Sequence, residues 1–138
     1  MKRQSITRSN TFRFIALAFV ALLAVAAVVF VWIPDDEITS ARTVSGGNPE
    51  LGKQALTHFG CIACHSVPGV RGPDAYVGPP LDHWNQRRYI AGRRANEVGN
   101  LIEWIQYPQA IDPETAMPTL GVSEEDARHI AAYLYSLE

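Results

Sequence analysis

The sequence predicts an all-α protein with two parts, a single N-terminal transmembrane helix and a small helical domain. Three observations support this prediction. Twenty consecutive apolar residues fill positions 14–33, apolar side chains recur at helical spacing in three segments beyond residue 48, and the Gly- and Pro-rich stretch 66–99 lacks strand-like alternation. We therefore divide the chain into an N-terminus (1–13), a transmembrane anchor (14–33), a flexible linker (34–48) and a domain of short helices (49–138).

The predicted anchor runs from Phe14 to Ile33 without a charged residue, a glycine or a proline. At about 1.5 Å per residue its helical length is roughly 30 Å, the thickness of the hydrocarbon core of a bilayer. The alternative is a cleaved signal peptide, whose apolar stretch usually has about 7–15 residues and ends at small residues. Here the best small residues, Ala24 and Ala26, lie inside the run, so we expect a retained anchor.

Charge predicts the orientation of this anchor. Residues 1–13 carry four basic side chains and no acidic one, whereas the acidic segment 35–37 follows the apolar run. Because Lys and Arg remain on the cytoplasmic side, the N-terminus is expected in the cytoplasm and the domain across the membrane. The connecting linker, 34–48, is polar and contains two adjacent glycines, which is typical of a flexible tether.

Three helices are predicted in the domain from caps and apolar spacing. The first begins with Asn48 as the N-cap and Pro49 at the first helical position. The second begins at a capping box, Asn100 to Glu103, and the third follows the acid-rich turn 123–126. About 90 residues with helices this short bury little core, so the domain needs a cofactor, a metal or a disulfide to stabilise it.

The stretch GCIACHSV, residues 60–67, contains both cysteines of the chain, Cys61 and Cys64, and His65 directly after them. A redox dithiol needs a βαβ context that this sequence lacks, and a zinc site needs four ligands where this stretch provides three. A disulfide here would close too short a loop to stabilise the domain. Because Cys-x-x-Cys-His is the attachment signature of c-type haem, we predict one covalently attached haem c with His65 as an iron ligand.

Met117 is the only methionine besides the initiator, and it lies in a loop between two prolines, fifty-two residues beyond His65. A lone methionine is often a core filler. A thioether held by a rigid loop, however, is what an electron-transfer haem requires, and Met/His ligation raises the reduction potential. We therefore predict Met117 as the second axial ligand. The alternatives are histidines, with His83 ahead of His58 and His129.

These features resemble a class I cytochrome c over residues 49–138. The resemblance rests on the Cys-x-x-Cys-His motif near the first helix, Gly78-Pro79 after it, a tryptophan in a middle helix, and a Met-Pro loop before the closing helix. The phrases CIACHSVPGVRGP, LIEWIQYPQ and AMPTLGVSEEDARHIAAYL are similar to those of bacterial cytochromes that accompany, or are fused to, subunit II of haem–copper oxidases.

The resemblance implies further contacts of the haem. Pro79, with Pro80 as a near alternative, matches the proline whose carbonyl meets the free nitrogen of the ligating histidine, a contact that sets ligand orientation. Trp104 matches the tryptophan that commonly bonds a haem propionate. Side chains that would share this task are Tyr89 and one of Arg93 or Arg88. The resemblance also implies that Gly52 and Leu56 of the first helix meet Tyr133 and Leu134 of the last.

The charged residues limit the class of partner. Residues 49–138 contain seven Lys and Arg against eleven Asp and Glu, a net charge of −4. Nucleic-acid binding requires a basic face, so no nucleic-acid partner is expected. Four of the seven bases fall between Arg87 and Arg94, where they form either a docking patch or a group that neutralises haem propionates.

The resemblance implies an electron carrier without a small-molecule substrate. It would take single electrons from a quinol–cytochrome c oxidoreductase and pass them to a terminal haem–copper oxidase, anchored in a bacterial inner membrane with the haem domain in the periplasm. One alternative is a fixed cytochrome c subunit of a respiratory oxidase or supercomplex, its anchor packed among other helices. The other is a haem sensor or enzyme with an open iron site, in which Met117 does not bind iron.

Overall fold

A computed structural model describes residues 5–32, 45–73 and 77–137, which fall into two units, 1–35 and 36–138. The first unit contains helix α1 (Ser5–Trp32), whose side chains from Phe12 to Val28 are exposed. Within the described ranges, no helix combines the length and the apolar character needed to cross a membrane. The predicted anchor is therefore not confirmed.

The second unit is mostly helical, as predicted. Its helices are α2 (Pro49–His58), α3 (Val98–Gln106), α4 (Pro108–Ile111) and α5 (Glu124–Tyr135). Single 3-10 turns occupy Cys61–Ala63 and Trp84–Gln86. A two-residue antiparallel ladder, β1 (Tyr89–Ile90) with β2 (Arg94–Ala95), interrupts a stretch for which no strand was expected.

The cap predicted for α2 is confirmed, and α5 has an N-cap that the sequence analysis did not name. The Asn48 side chain accepts a 3.0 Å hydrogen bond from the Glu50 amide, with Pro49 at the start of α2. The Ser123 hydroxyl accepts one of 3.1 Å from the Asp126 amide at the start of α5. Each side chain satisfies one of the backbone N–H groups that a helix N-terminus leaves without an intrahelical partner.

The capping box predicted at Asn100 is wrong. Helix α3 begins two residues earlier, at Val98, and its N-cap, Glu97, makes no side-chain capping bond. The side-chain amide of Asn100 instead donates a 3.1 Å hydrogen bond to the backbone carbonyl of Ala95, on β2. Asn100, which the sequence pattern assigned to the cap, is thus bonded to the short ladder.

Helices α2 and α5 cross at Gly52, where a Cβ atom would lie 1.9 Å from the His129 carbonyl oxygen. The resemblance correctly implied that Gly52 lies close to the last helix. The tightest approach falls at His129 and Ile130, about one turn before Tyr133. The Tyr133 hydroxyl donates to the Pro68 carbonyl, at 2.6 Å.

The end of the predicted linker packs against α5. Ser45 is 1% exposed, and its carbonyl accepts a 3.3 Å bond from the Arg128 guanidinium. The amide of Asn48 donates to Nδ1 of His129 at 3.0 Å. Residues 45–48 are therefore part of the folded domain, while the preceding linker residues, 34–44, lie outside the described part of the chain.

Candidate haem site

One short turn presents both thiols and the imidazole of the Cys-x-x-Cys-His motif. Gly60 enters it with a positive φ of 72°, and the amides of Cys64 and His65 both donate to the Cys61 carbonyl, at 3.2 and 3.0 Å. Both cysteines are free thiols and half-buried, as is His65. The three side chains are consequently held within one turn of backbone.

The proline predicted to meet the histidine lies beside it. Nδ1 of His65 is 2.7 Å from the carbonyl oxygen of Pro79, so Nδ1 carries the proton and donates. The lone pair of the neutral ring is then on Nε2, the nitrogen able to bind iron. A carbonyl acceptor on the other ring nitrogen fixes the tautomer and orientation of a metal-binding histidine.

Backbone hydrogen bonds hold this proline loop against the motif. The Gly78 amide donates to the Cys64 carbonyl at 2.8 Å, and the Leu81 amide donates to the Ser66 carbonyl at the same distance. The two bonds lie on either side of the His65–Pro79 contact. Gly78 also passes so close to the imidazole that a Cβ would be 2.3 Å from Cε1 of His65. This position therefore requires glycine.

Arg87 supports the same loop from the opposite direction. Its guanidinium donates to the carbonyls of Pro80 and Asp82, the second at 3.0 Å, and lies 3.4 Å from the Asp82 carboxylate. The guanidinium carbon is also 5.1 Å from the ring centroid of Trp84. The residues beyond Pro79 are thus fixed by a charged side chain that sequence reasoning had treated only as one member of a basic cluster.

The basic cluster 87–94 is largely paired with acidic side chains. Arg93 lies 2.9 Å from Asp112, Arg94 lies 2.9 Å from Glu103, and Arg87 contacts Asp82 as described above. Most of the positive charge of this segment is therefore matched locally. That pairing argues against a free docking patch.

The remaining predicted site residues are not joined to the motif. Tyr89 is 65% exposed on β1, Arg93 is bonded to Asp112, and Trp104 is a core residue of α3 that is 7% exposed. Across the described ranges, no hydrogen bond links any of these three to residues 61–65. Their predicted contacts with propionates stay predictions.

Trp84 is a second candidate for a polar contact with a bound group. Its indole nitrogen is buried and has no hydrogen-bond partner within the described residues. The side chain lies near Tyr135, whose pKa is raised by burial, lowered in part by this indole N–H and raised again by Glu97. The indole N–H therefore acts on Tyr135 without the geometry of a hydrogen bond to it, and a buried donor usually has a partner.

Met117 lies in the loop between α4 and α5, half-buried against the hydrophobic core. Its amide donates to the Thr115 hydroxyl at 3.3 Å. Beyond it, Val122 is buried, and its carbonyl accepts a 3.3 Å bond from the Gln106 side chain. The loop is therefore fixed before and after its only thioether.

A cavity of about 340 Å³ opens beside the motif. Its lining includes His65, Ile62, Val67, Val70 and Asp82, and therefore belongs to the turn and the loop that follows it. Among the described residues, Met117 is not part of that lining.

The donor set fits a covalently attached haem. Burial raises the pKa of the Cys61 thiol, opposed by a backbone hydrogen bond and reinforced by repulsion from Cys64. No group of three or more metal-binding side chains occurs within the described residues. Two free thiols and an oriented imidazole on one turn would provide two thioether attachments and one iron ligand.

The fold and this turn define a c-type cytochrome. Residues 49–138 match the family model described as Cytochrome c, and the chain belongs to that family. It therefore carries covalently attached haem c and is an electron-transfer protein. The chain is also 36% identical, over 88 residues, to cytochrome c oxidase subunit 2 of Alkalihalophilus pseudofirmus. That match covers 63% of this chain and 25% of the relative, so the chain spans about a quarter of the relative's length.

Proposed function

We propose that this protein is a membrane-anchored monohaem cytochrome c that carries single electrons in a bacterial respiratory chain. Its electron donor is a quinol–cytochrome c oxidoreductase, and its acceptor is a terminal haem–copper oxidase. The observation that carries the proposal is the His65–Pro79 contact on a Cys-x-x-Cys-His turn, in a chain similar to an oxidase subunit.

The haem supplies one-electron redox chemistry when it is bound, and the chain's residues tune and shield it. Cys61 and Cys64 hold the macrocycle by two covalent bonds. His65 would coordinate iron through Nε2 because its Nδ1–H donates a hydrogen bond to the Pro79 carbonyl. Met117, as the second axial ligand, raises the reduction potential and closes the iron to exogenous ligands.

The anchor and location belong to the same proposal. The apolar run 14–33 holds the domain at a membrane, and the basic residues of 1–13 keep the N-terminus in the cytoplasm. The haem domain then lies in the periplasm at the inner membrane. A tether in residues 34–44 raises its effective concentration near membrane partners, so that electron transfer does not require tight binding.

A fixed cytochrome c subunit is the second candidate, and one observation favours it. The relative that matches residues of this domain is named as a subunit of an oxidase, and the match covers only a quarter of that subunit. A domain that is part of a larger subunit in one organism can be a separate chain of the same complex in another. The small residues of 14–33 would then pack against neighbouring helices.

A haem-stained native gel of gently solubilised membranes separates these candidates. A mobile carrier runs alone as a small haem-stained species, whereas a subunit stays with a large oxidase assembly through purification. A Cys61→Ala/Cys64→Ala chain is the control, since it should give no haem stain at its position. Staining only in the soluble fraction would refute the anchor, and carbon monoxide binding to the reduced protein at native pH would refute the carrier by revealing an open iron site.

A further inference from the structure

A bidentate ion pair joins the hairpin of β1 and β2 to the loop that carries Met117. Nε of Arg93 lies 2.9 Å from Oδ2 of Asp112, and Nη2 lies 3.3 Å from Oδ1. The Asp112 side chain is only 14% exposed, whereas that of Arg93 is 52% exposed. Bidentate pairs of this kind fix geometry as well as adding charge-assisted hydrogen bonds.

The hairpin turn directs Arg93 to this position. Ala91 and Gly92 both have positive φ values, 49° and 68°, and the Arg93 amide donates to the Ile90 carbonyl at 2.9 Å. Two successive positive φ values with this bond are a type I′ turn, whose twist matches that of a two-stranded ladder. The guanidinium is thereby presented from a fixed backbone.

A series of hydrogen bonds runs from Asp112 to the backbone of Met117. Oδ1 of Asp112 accepts from the Glu114 amide at 3.2 Å, and the Asp112 carbonyl accepts from the Thr115 amide at 3.1 Å. The Thr115 hydroxyl in turn accepts from the Met117 amide at 3.3 Å. The approach of the chain to Met117 is therefore organised around Asp112.

We propose that Arg93 is a positioning residue for the Met117 thioether and acts through Asp112. This inference rests on the proposed function, in which Met117 is the second axial ligand. It gives Arg93 a different task from the propionate contact that the resemblance implied. The guanidinium already has its Nε and one Nη on Asp112, with Glu114 3.8 Å away, so its donors are directed at the methionine loop.

Removing Arg93 has a predictable physical consequence for that loop. The Asp112 carboxylate, largely buried, loses its charged partner and must either recruit water or turn towards it. Its bond to the Glu114 amide is then weakened, and the loop up to Met117 gains alternative conformations. A methionine held less firmly is displaced more readily by a ligand that competes for the same coordination position.

The test is an imidazole titration of the full-length, haem-loaded ferric protein. The readout is the far-red absorption that a methionine ligand gives to ferric haem, which disappears as imidazole displaces the methionine. For Arg93→Gln and for Asp112→Asn we expect apparent imidazole binding about fivefold tighter, because a well-formed, partly exposed pair contributes about 1 kcal/mol. Arg93→Gln/Asp112→Asn should show no more than the larger single effect, since both changes break one interaction. Arg93→Lys, which keeps the charge but loses the fork, should fall between Arg93→Gln and the unmodified chain.

Arg94→Gln is the matched control, because Arg94 pairs with Glu103 at 2.9 Å, on α3 and away from the loop. It should leave imidazole affinity unchanged, whatever its effect on unfolding. Equal imidazole affinities for Arg93→Gln and Arg94→Gln would overturn the positioning role while leaving Met117 as a ligand. If the unmodified protein lacks the methionine absorption, Met117 is not an iron ligand, and the positioning role of Arg93 is refuted as well. The failure of the proposed ligand is thus distinguishable from the failure of the positioning role alone.

Discussion

The carbonyl oxygen of His129 occupies the space where Gly52 would carry a side chain. A Cβ built on Gly52 lies 1.9 Å from that oxygen and 2.5 Å from the carbonyl carbon, both of them backbone atoms of α5. Neither atom is the end of a flexible side chain, so the helices themselves would have to separate. Much of the domain's core lies where α2 and α5 cross. This crossing therefore depends on a glycine, which has no side chain, at position 52.

Gly52→Ala should destabilise the haem-loaded domain by at least about 3 kcal/mol, the upper end of the usual cost of overpacking. The measurement is denaturant unfolding followed by far-UV circular dichroism. Gly99→Ala is the control, because Gly99 lies in α3 with no heavy atom within 4 Å of its Cβ position. It should be neutral or stabilise by up to about 1 kcal/mol through helix propensity. Equal stabilities for the two variants would contradict the close crossing.

The parts of the fold that the sequence predicted well are those set by local chemistry. Asn48 caps α2 because its side chain reaches the backbone amide two residues ahead. The alternation of glycine and proline after the motif likewise marks the loop that contains Pro79. Such signals depend on spacing along the chain, and spacing is visible in a sequence.

The misjudged residues are those whose partners are brought to them by the tertiary fold. Asn100 has the spacing of a capping box, yet it bonds to the Ala95 carbonyl because the hairpin brings that group within reach. Arg93 belongs to a basic cluster by sequence, yet its partner Asp112 lies nineteen residues further on. Ion-pair partners at such separations depend on tertiary packing, which composition and periodicity do not encode.

Ala91 is the residue in the hairpin turn whose substitution should increase the stability of the domain. Its φ of 49° is in the left-handed region, which costs an L-residue roughly 1–2 kcal/mol and glycine almost nothing. Glycine also makes the unfolded chain more flexible, so Ala91→Gly should stabilise the domain by about 0.5–1 kcal/mol net. Thermal unfolding of the haem-loaded protein measures this.

Ala95→Gly provides the comparison for the hairpin. Ala95 is also exposed, and it lies in β2 with an ordinary strand conformation. Glycine there should destabilise by roughly 0.5–1 kcal/mol, since it adds only unfolded-state freedom. A loss of stability in Ala91→Gly equal to that in Ala95→Gly would show that the turn is not strained at Ala91.

Gly78 is the position at which a methyl group should directly disturb His65, the predicted iron ligand. Its Cβ would lie 2.3 Å from Cε1 and 2.6 Å from Nδ1 of His65, so the ring could yield only by losing the Pro79 hydrogen bond. Gly78→Ala should therefore cost about 1–3 kcal/mol of stability and lower the reduction potential or the ligand occupancy of His65. Redox titration measures the reduction potential, and the haem spectrum measures the ligand occupancy of His65.

Gly72→Ala is the matched variant for Gly78. Its Cβ would approach Ile62 at 3.0 Å, in the same region but without contact with the imidazole. A modest loss of stability with an unchanged haem spectrum is expected there. If Gly78→Ala and Gly72→Ala gave the same spectrum as the unmodified protein, the close packing of Gly78 on His65 would be wrong.

The contribution of Tyr133 to the stability of the domain should be lost at alkaline pH. Its hydroxyl donates to the Pro68 carbonyl at 2.6 Å, and burial raises its pKa above the ordinary value of 10.0. Below pH 10 the tyrosine is protonated in both the folded and the unfolded chain, so its contribution to stability is fully present. Above that pH the unfolded chain loses the proton first, and the free energy of unfolding falls as pH rises through the folded-state pKa.

Tyr133→Phe isolates this contribution. At neutral pH it should cost about 0.5–1.5 kcal/mol, the usual net value of one hydrogen bond. Above about pH 10 its stability should fall less steeply than that of the unmodified chain, because one proton-linked group is gone. Tyr135→Phe should flatten the profile further when combined with it, since burial also raises the pKa of Tyr135. Urea unfolding at a series of pH values gives the slopes. An unchanged slope in Tyr133→Phe would mean that the alkaline loss arises at other groups, whose titration is common to both chains.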